Sequence, residues 1–319
     1  MTDTAADIVL AAEDLVVEHA GHDRTLRLLD GVSLALRRAQ ILGVVGESGA
    51  GKSLTGAALI DLLDPPLRLS AGRLRFQGAD GVLPRRGRDV SMIFQDPLTA
   101  LNPLFTVGHQ LTETIRVHHG LGRTAAAARA LELLVEVGLN APRARLAQYP
   151  HELSGGMRQR VVIALALAPD PSVLVADEPT TALDVSVQAQ IIALLRRLCD
   201  ARGMAVMLIT HDIGVVAEAA DTVAVMYAGR IVETGPVATV LTAPRHPYTR
   251  GLLAASLALG LRREMLMQID GQAPRPGDWP DGCRFHPRCA MRSARCTQAI
   301  PKLEAVGDGA VACWNAARG

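Results

Sequence analysis

The sequence predicts an α/β fold with an open sheet, and three segments predict it. Ile41-Leu42-Gly43-Val44-Val45 is a short apolar run of the kind buried on both faces of a sheet. It leads into Gly46-Glu47-Ser48-Gly49-Ala50-Gly51-Lys52-Ser53, and a helical stretch follows from Leu54 to Leu63. A second apolar run, Ser172 to Ala176, ends in the paired carboxylates Asp177 and Glu178.

The first segment is a complete G-x-x-x-x-G-K-S loop in the strand-to-helix setting that such a motif requires. Its glycines let backbone N–H groups turn inward around an anion. The following helix adds the positive end of its dipole. Lys52 then reaches the β- and γ-phosphates of a nucleotide, and the Ser53 hydroxyl is a ligand for Mg²⁺. The second segment places Asp177 and Glu178 at the carboxyl end of a strand, where open α/β sheets bind ligands. Asp177 suits the magnesium, directly or through water. Glu178 suits the polarisation of an attacking water. Two adjacent carboxylates repel one another, so a cation nearby is the natural compensation.

Three further positions gain meaning beside these. Ala205-Val206-Met207-Leu208-Ile209 is another buried strand, and it carries Thr210-His211-Asp212 at its carboxyl end. A histidine there is structural by default and becomes a γ-phosphate contact only in such company. Gln95, in Ile93-Phe94-Gln95-Asp96, is likewise a generic glutamine alone and a magnesium and water contact in context. Leu153-Ser154-Gly155-Gly156-Met157-Arg158-Gln159-Arg160 is a second glycine-rich segment at a predicted helix start.

Taken together, these residues resemble an ATP-binding cassette (ABC) ATPase, with the motifs in complete order over roughly residues 8 to 315. The resemblance makes Gly46 to Ser53 the Walker A loop, Gln95 the Q-loop glutamine and Leu153 to Met157 the signature. It makes Ser172 to Asp177 Walker B, with Glu178 after it, Ala182-Leu183-Asp184 the D-loop and His211 the switch histidine. It implies a RecA-like core with an antiparallel β subdomain and a helical signature subdomain. ATP and Mg²⁺ are the implied cofactors, the ion held at Ser53, Gln95 and Asp177. Ser154, Gly155, Gly156 and Met157 would act in trans, on ATP held by a second cassette. Two departures stand out. The place where such proteins carry an aromatic residue to stack on adenine falls to His19, and the signature's fifth residue is Met157 rather than glutamine.

The resemblance narrows further. Phe94 to Pro103, Tyr149 to Arg160, His246-Pro247-Tyr248-Thr249 and Cys283-Arg284-Phe285-His286-Pro287-Arg288-Cys289 look like the oligopeptide/dipeptide importer branch. Nickel and glutathione importers share much of this pattern. The branch implies an ATPase subunit working with a second cassette, identical or paralogous, two transmembrane permease subunits and an extracytoplasmic binding protein. It implies a peripheral place on the cytoplasmic face of the inner membrane.

Length and composition exclude several rivals. The 319 residues hold one cassette, 8–250, and an extension, 251–319. The separation of 102 positions from Lys52 to Ser154 accommodates a helical subdomain, about 97–168, but no long coiled-coil arm of the DNA-repair type. Only one cassette is present, against the two of translation-type ABC proteins. A net charge of +1 gives no basic field for nucleic acid. The longest apolar run, Val161 to Ala168, is far short of the roughly 20 residues that span a bilayer. Met1 to Asp7 is acidic and unlike a signal peptide, so a cytoplasmic chain is expected. A soluble ABC ATPase uncoupled from transport and a redox-sensing nucleotide binder are the remaining alternatives. Intact Glu178 and His211 speak against the second.

Along the chain, Thr124 to Val137 has helical periodicity, and Thr222 to Met226 with Arg230 to Thr234 flank a hairpin turn at Tyr227-Ala228-Gly229. Asp80 to Arg88 reads as an exposed loop, and Gly271 to Gly282 as a linker or irregular arm. Four cysteines, Cys283, Cys289, Cys296 and Cys313, lie close together with gaps of five, six and sixteen residues. Thiols in a reducing compartment suggest metal rather than disulfides. The gaps exceed those of tight zinc pairs and suit a [4Fe–4S] cluster, which part of the resembled branch carries. Zinc and free thiols remain the alternatives. Arg284, Arg288, Arg292 and Arg295 are expected to offset the cluster's charge. Cys199 is expected to be ordinary packing.

Overall fold

The computed structural model describes residues 7–21, 24–96, 100–181, 183–260 and 269–316. Met1 to Ala6 of the acidic start, Pro97, Leu98 and Thr99 of the Q-loop stretch, and Ala182 of the D-loop lie outside these residues.

Strands β3 (Ile41–Val45), β6 (Val90–Ile93), β7 (Val173–Asp177) and β8 (Ala205–Ile209) form the parallel heart of an eight-stranded sheet, with β9 (Thr222–Tyr227) beside β3. Their apolar runs are continuous because both faces are buried. Leu174, Ala176, Val206 and Leu208 face one core; Val173, Val175, Ala205, Met207 and Ile209 face another.

The first core is closed by helices. α1 (Lys52–Leu59) follows the phosphate loop directly and packs instead on the second core, through Ala58 and Leu59. α2 (Val107–His119), α3 (Arg123–Glu136), α4 (Pro142–Leu146) and α5 (Gly155–Leu167) form the helical subdomain. Leu111, Ile115, Leu133, Leu134 and Ile163 are fully buried in it, and α6 (Val185–Arg202) packs alongside. The second core is closed by an antiparallel sheet of β1 (Ile8–Ala20), β2 (Thr25–Arg37), β4 (Leu67–Phe76) and β5 (Ala79–Asp80), in the order β2-β1-β4-β5.

The expected hairpin is present: β9 pairs antiparallel with β10 (Arg230–Pro236) around Ala228 and Gly229. α7 (Ile213–Ala219) precedes the hairpin, and α8 (Val237–Thr242) and α9 (Pro247–Gly260) follow it, the last running across position 250. Residues 271–282 carry no helix or strand. α10 (Ala294–Gln298) and a hairpin of β11 (Glu304–Val306) and β12 (Gly309–Val311) complete the described chain. β12 pairs with β10, giving the sheet order β11-β12-β10-β9-β3-β8-β7-β6. A third core, with Tyr227, Tyr248 and Phe285 at its centre, joins this C-terminal region to the main sheet. Among the described residues, no helix is long and apolar enough to cross a membrane.

Candidate nucleotide site

The phosphate loop turns between β3 and α1 on backbone shapes that only glycine supplies cheaply. Gly51 has φ 101° and a Cβ there would stand 2.6 Å from Leu29 Cδ2; a Cβ on Gly46 would stand 2.3 Å from the Met226 carbonyl oxygen. Lys52 Nζ donates to the carbonyls of Gly46 at 2.9 Å and Glu47 at 3.2 Å. Burial lowers its pKa, while the charges of Glu178 and Asp177 oppose that fall. Ser53 Oγ donates to Asp177 Oδ1 at 3.0 Å. Burial raises the Asp177 pKa and the Glu178 charge adds to the rise, against the Ser53 hydrogen bond and the Lys52 charge.

Glu178 is the hub of the acidic strand end. Gln95 Nε2 donates to it at 3.4 Å, His211 Nδ1 stands 3.2 Å from it, and Thr181 Oγ1 donates at 2.8 Å. Burial alone would raise its pKa, but the hydrogen bonds from Thr181 and His211, with the charges of His211 and Lys52, bring it below the ordinary value. Its backbone sits at φ 46°, in the left-handed region, which costs a non-glycine residue about 1–3 kcal/mol. Neither Thr181 nor this strain was expected from the motifs, although a hydroxyl three residues after Glu178 is a visible signal. Ser48, Gly49, Gly51, Lys52, Ser53, Gln95, Glu178 and His211 line one open cavity of about 540 Å³, together with Leu28, Leu54 and Pro276.

Other expected residues stand apart from this cavity. His19 lies on β1 opposite Leu26 and Leu67, and its Nδ1 is buried without a partner. The ring therefore contributes no part of the cavity wall, where Leu28 and Pro276 stand instead. Ser154 caps α5, its hydroxyl accepting from Met157 N at 3.3 Å. Gly156 lets α5 approach α6, since a Cβ would meet Val187 Cγ1 at 2.7 Å. Asp184 caps α6 by accepting from Val187 N at 2.9 Å and Ser186 Oγ at 2.6 Å.

Two of the four C-terminal cysteines are tied through the backbone, Cys283 N donating to the Cys296 carbonyl at 2.8 Å. Burial pushes the Cys313 thiol up to about 11, and the charges of Cys283, Cys289 and Cys296 add to the rise. Among the described residues, no group of three or more Cys, His, Asp or Glu side chains stands at metal-holding spacing. The flanking arginines correct an expectation. Arg292 acts on Cys289, but Arg284 pairs with Asp30 and stacks 3.4 Å over Trp279. Arg295 stacks on Trp314 at 3.6 Å, and Arg288 forks onto Glu47. Three of the four are thus spent away from the thiols. Cys199 is fully buried and donates to the Met204 carbonyl at 3.2 Å, as packing requires.

Residues 29–181 match the ABC transporter family model. The Dipeptide transport ATP-binding protein DppD of Escherichia coli K12 is 46% identical over 308 residues, covering 94% of both chains. The chain belongs to the ABC transporter ATPases. Residues 232–296 of this ABC ATPase match the oligopeptide/dipeptide transporter C-terminal region. DppD of Haemophilus influenzae is 43% identical over 312 residues, covering 96% of this chain and 94% of its own. Among solved structures, cbiO1 of Clostridium perfringens aligns with a TM-score of 0.65 at 26% identity, over 81% of this chain and 97% of that one. The cassette MJ0796, a dimer bound to ADP and Pi, shares the fold at a TM-score of 0.63 and 24% identity, over 72% of this chain and 99% of its own.

Proposed function

We propose that this ABC ATPase is the ATP-hydrolysing subunit of a membrane importer for di- or oligopeptides. The observation that carries the hydrolytic part is the convergence of Gln95, Thr181 and His211 on Glu178, beside Lys52 and Ser53. Lys52 neutralises the β- and γ-phosphates, Ser53, Gln95 and Asp177 hold Mg²⁺, and Glu178 orients water with His211 on the γ-phosphate side. The peptide cargo is inferred from the dipeptide transport relatives and the C-terminal match.

The signature residues Ser154, Gly155, Gly156 and Met157 serve ATP on a second, identical or paralogous cassette, with Asp184 at the same seam. Their separation from the chain's own cavity supports that assignment. ATP then joins the two cassettes and hydrolysis releases them. Two permease subunits dock near the Q-loop. Phe94, 46% exposed, and Leu104, 79% exposed, offer apolar surface there. An extracytoplasmic binding protein delivers the peptide, and the chain sits on the cytoplasmic face of the membrane. Cys283, Cys289, Cys296 and Cys313 would hold a [4Fe–4S] cluster, which would supply a structural crosslink when bound. The gaps of five, six and sixteen residues between them support this donor set.

Uptake of a labelled dipeptide into vesicles bearing the assembled complex tests the whole reading. It should require ATP and stop with Glu178→Gln. Uptake of nickel or glutathione in place of peptide would overturn the cargo. Co-purification with soluble proteins alone would overturn the transport role.

A further inference from the structure

Glu47 brings a carboxylate into the loop that must receive a polyanion. Nothing in the phosphate chemistry requires it, and an unpaired charge there would repel the nucleotide. Its partner comes from 241 residues away: Arg288 Nη1 donates to Glu47 Oε2 at 2.8 Å and Nη2 to Oε1 at 3.1 Å. This is the bidentate fork that arginine forms and lysine cannot.

Arg288 itself has little freedom. Its side chain is 7% exposed. The remaining donors are taken by Asp270 O at 2.8 Å from Nε, Ile269 O at 3.0 Å from Nη2 and Tyr227 OH at 3.3 Å from Nη1. The short 3₁₀ turn that carries it, His286–Arg288, follows Phe285, which packs edge-on against Tyr227 and Tyr248. Tyr248 closes the frame, since its hydroxyl accepts from Glu47 N at 2.8 Å. On the other side, the Glu47 carbonyl accepts from Ala50 N at 3.1 Å and Lys52 Nζ at 3.2 Å. Glu47 is thus fixed at its side chain, its N–H and its carbonyl, the first two by residues beyond the hairpin.

We propose that Arg288 is a positioning residue for ATP binding: through Glu47 the C-terminal region holds the phosphate loop in its binding shape and cancels the loop's own negative charge. The proposal rests on the ATP-binding reading of the loop. It assigns the region beyond residue 270 a part in nucleotide affinity, although Arg288 touches no phosphate.

The test is ATP affinity of the full chain by calorimetry, and KM against kcat in the assembled complex. Arg288→Ala should weaken ATP binding about tenfold or more, the scale of one lost charge-assisted hydrogen bond. KM should rise more than kcat falls. Arg288→Lys should recover part of the loss, keeping the charge without the fork. In a Glu47→Gln background, where the loop itself carries no carboxylate, the same Arg288→Ala change should cost much less than in the wild type. Should Arg288→Ala not fold, Arg288→Gln replaces it, with the same loss expected. An Arg288→Ala chain that binds ATP as the wild type does overturns the positioning role. Equal losses in the wild-type and Glu47→Gln backgrounds overturn it too, because a purely structural arginine would not depend on Glu47. A wild-type chain that binds no ATP removes the nucleotide reading and this proposal with it.

Discussion

Ser53 and Asp177 are 124 positions apart in sequence, and the Ser53 hydroxyl donates to the Asp177 carboxylate at 3.0 Å. This bond ties the start of α1 to the end of β7 and joins two of the side chains proposed to hold Mg²⁺. Burial and the Glu178 charge beside it both raise the Asp177 pKa, against the Ser53 hydrogen bond and the Lys52 charge. A buried carboxyl with its pKa perturbed in this way, hydrogen-bonded to the phosphate loop, marks a functional position.

Glu178→Gln should retain ATP binding and lower turnover by at least roughly 10²-fold, the low end for a positioned acid–base group. The amide keeps a hydrogen-bond acceptor for Thr181 and loses the base. Phosphate release by the assembled complex measures it, and wild-type turnover in the variant would reject the role.

Lys52→Ala and Ser154→Arg should separate binding from closure. Lys52 acts on its own chain's nucleotide, so its loss should weaken ATP binding by the isolated chain. Ser154 caps α5 away from that cavity, so Ser154→Arg should spare isolated-chain binding and block ATP-driven association of cassettes. Sedimentation with and without ATP distinguishes them. Equal effects of both changes on isolated-chain binding would contradict a role in trans.

Asp30 should shape the acid limb of stability. Burial would raise its pKa, but Arg230, at 2.9 Å, and the charges of Arg284 and Arg27 hold it below the ordinary 3.8. Its folded value is the lower one, so its contribution is fully present above the unfolded value and is lost as pH falls through the folded value. Asp30→Asn should therefore flatten the fall of stability below about pH 4. At neutral pH it should cost about 3 kcal/mol, because Arg284 is left buried and uncompensated. Urea midpoints across pH measure both. An unchanged slope would place the acid sensitivity elsewhere.

Purified without oxygen, the protein should be brown and carry about four irons per chain. Cys289→Ser should remove the colour and loosen residues 271 to 316 to hydrogen exchange, since metal binding is folding energy for a loop-rich segment. Burial raises the Cys283 and Cys289 pKa values, and their thiols must lose protons to bind, so cluster assembly should strengthen as pH rises. Stoichiometric zinc without iron would sink the cluster assignment.

The parts legible in sequence were those with short-range grammar. Gly46 to Ser53 declares itself by spacing, and the strand ends at Asp177 and Ile209 by unbroken apolar runs buried on both faces. What sequence could not give was direction. Arg284, Arg288 and Arg295 are neighbours of the cysteines along the chain, yet their side chains reach Asp30, Glu47 and Trp314. The partners of Glu47, Arg288 and Tyr248, lie 241 and 201 residues away, beyond any local pattern. Likewise the left-handed backbone of Glu178 is imposed by its surroundings and by nothing in its own side chain.

β10 meets β12 through Glu233 and Val311, and Asp30 meets Arg284 across 254 residues. A ribosome makes these partners at very different moments. While residues 24–260 are already outside, Asp30 has Arg27 and Arg230 but not Arg284, and β10 is paired with β9 alone, its other edge open. The nascent cassette therefore waits, incompletely paired and open to strand addition, until the later segment emerges.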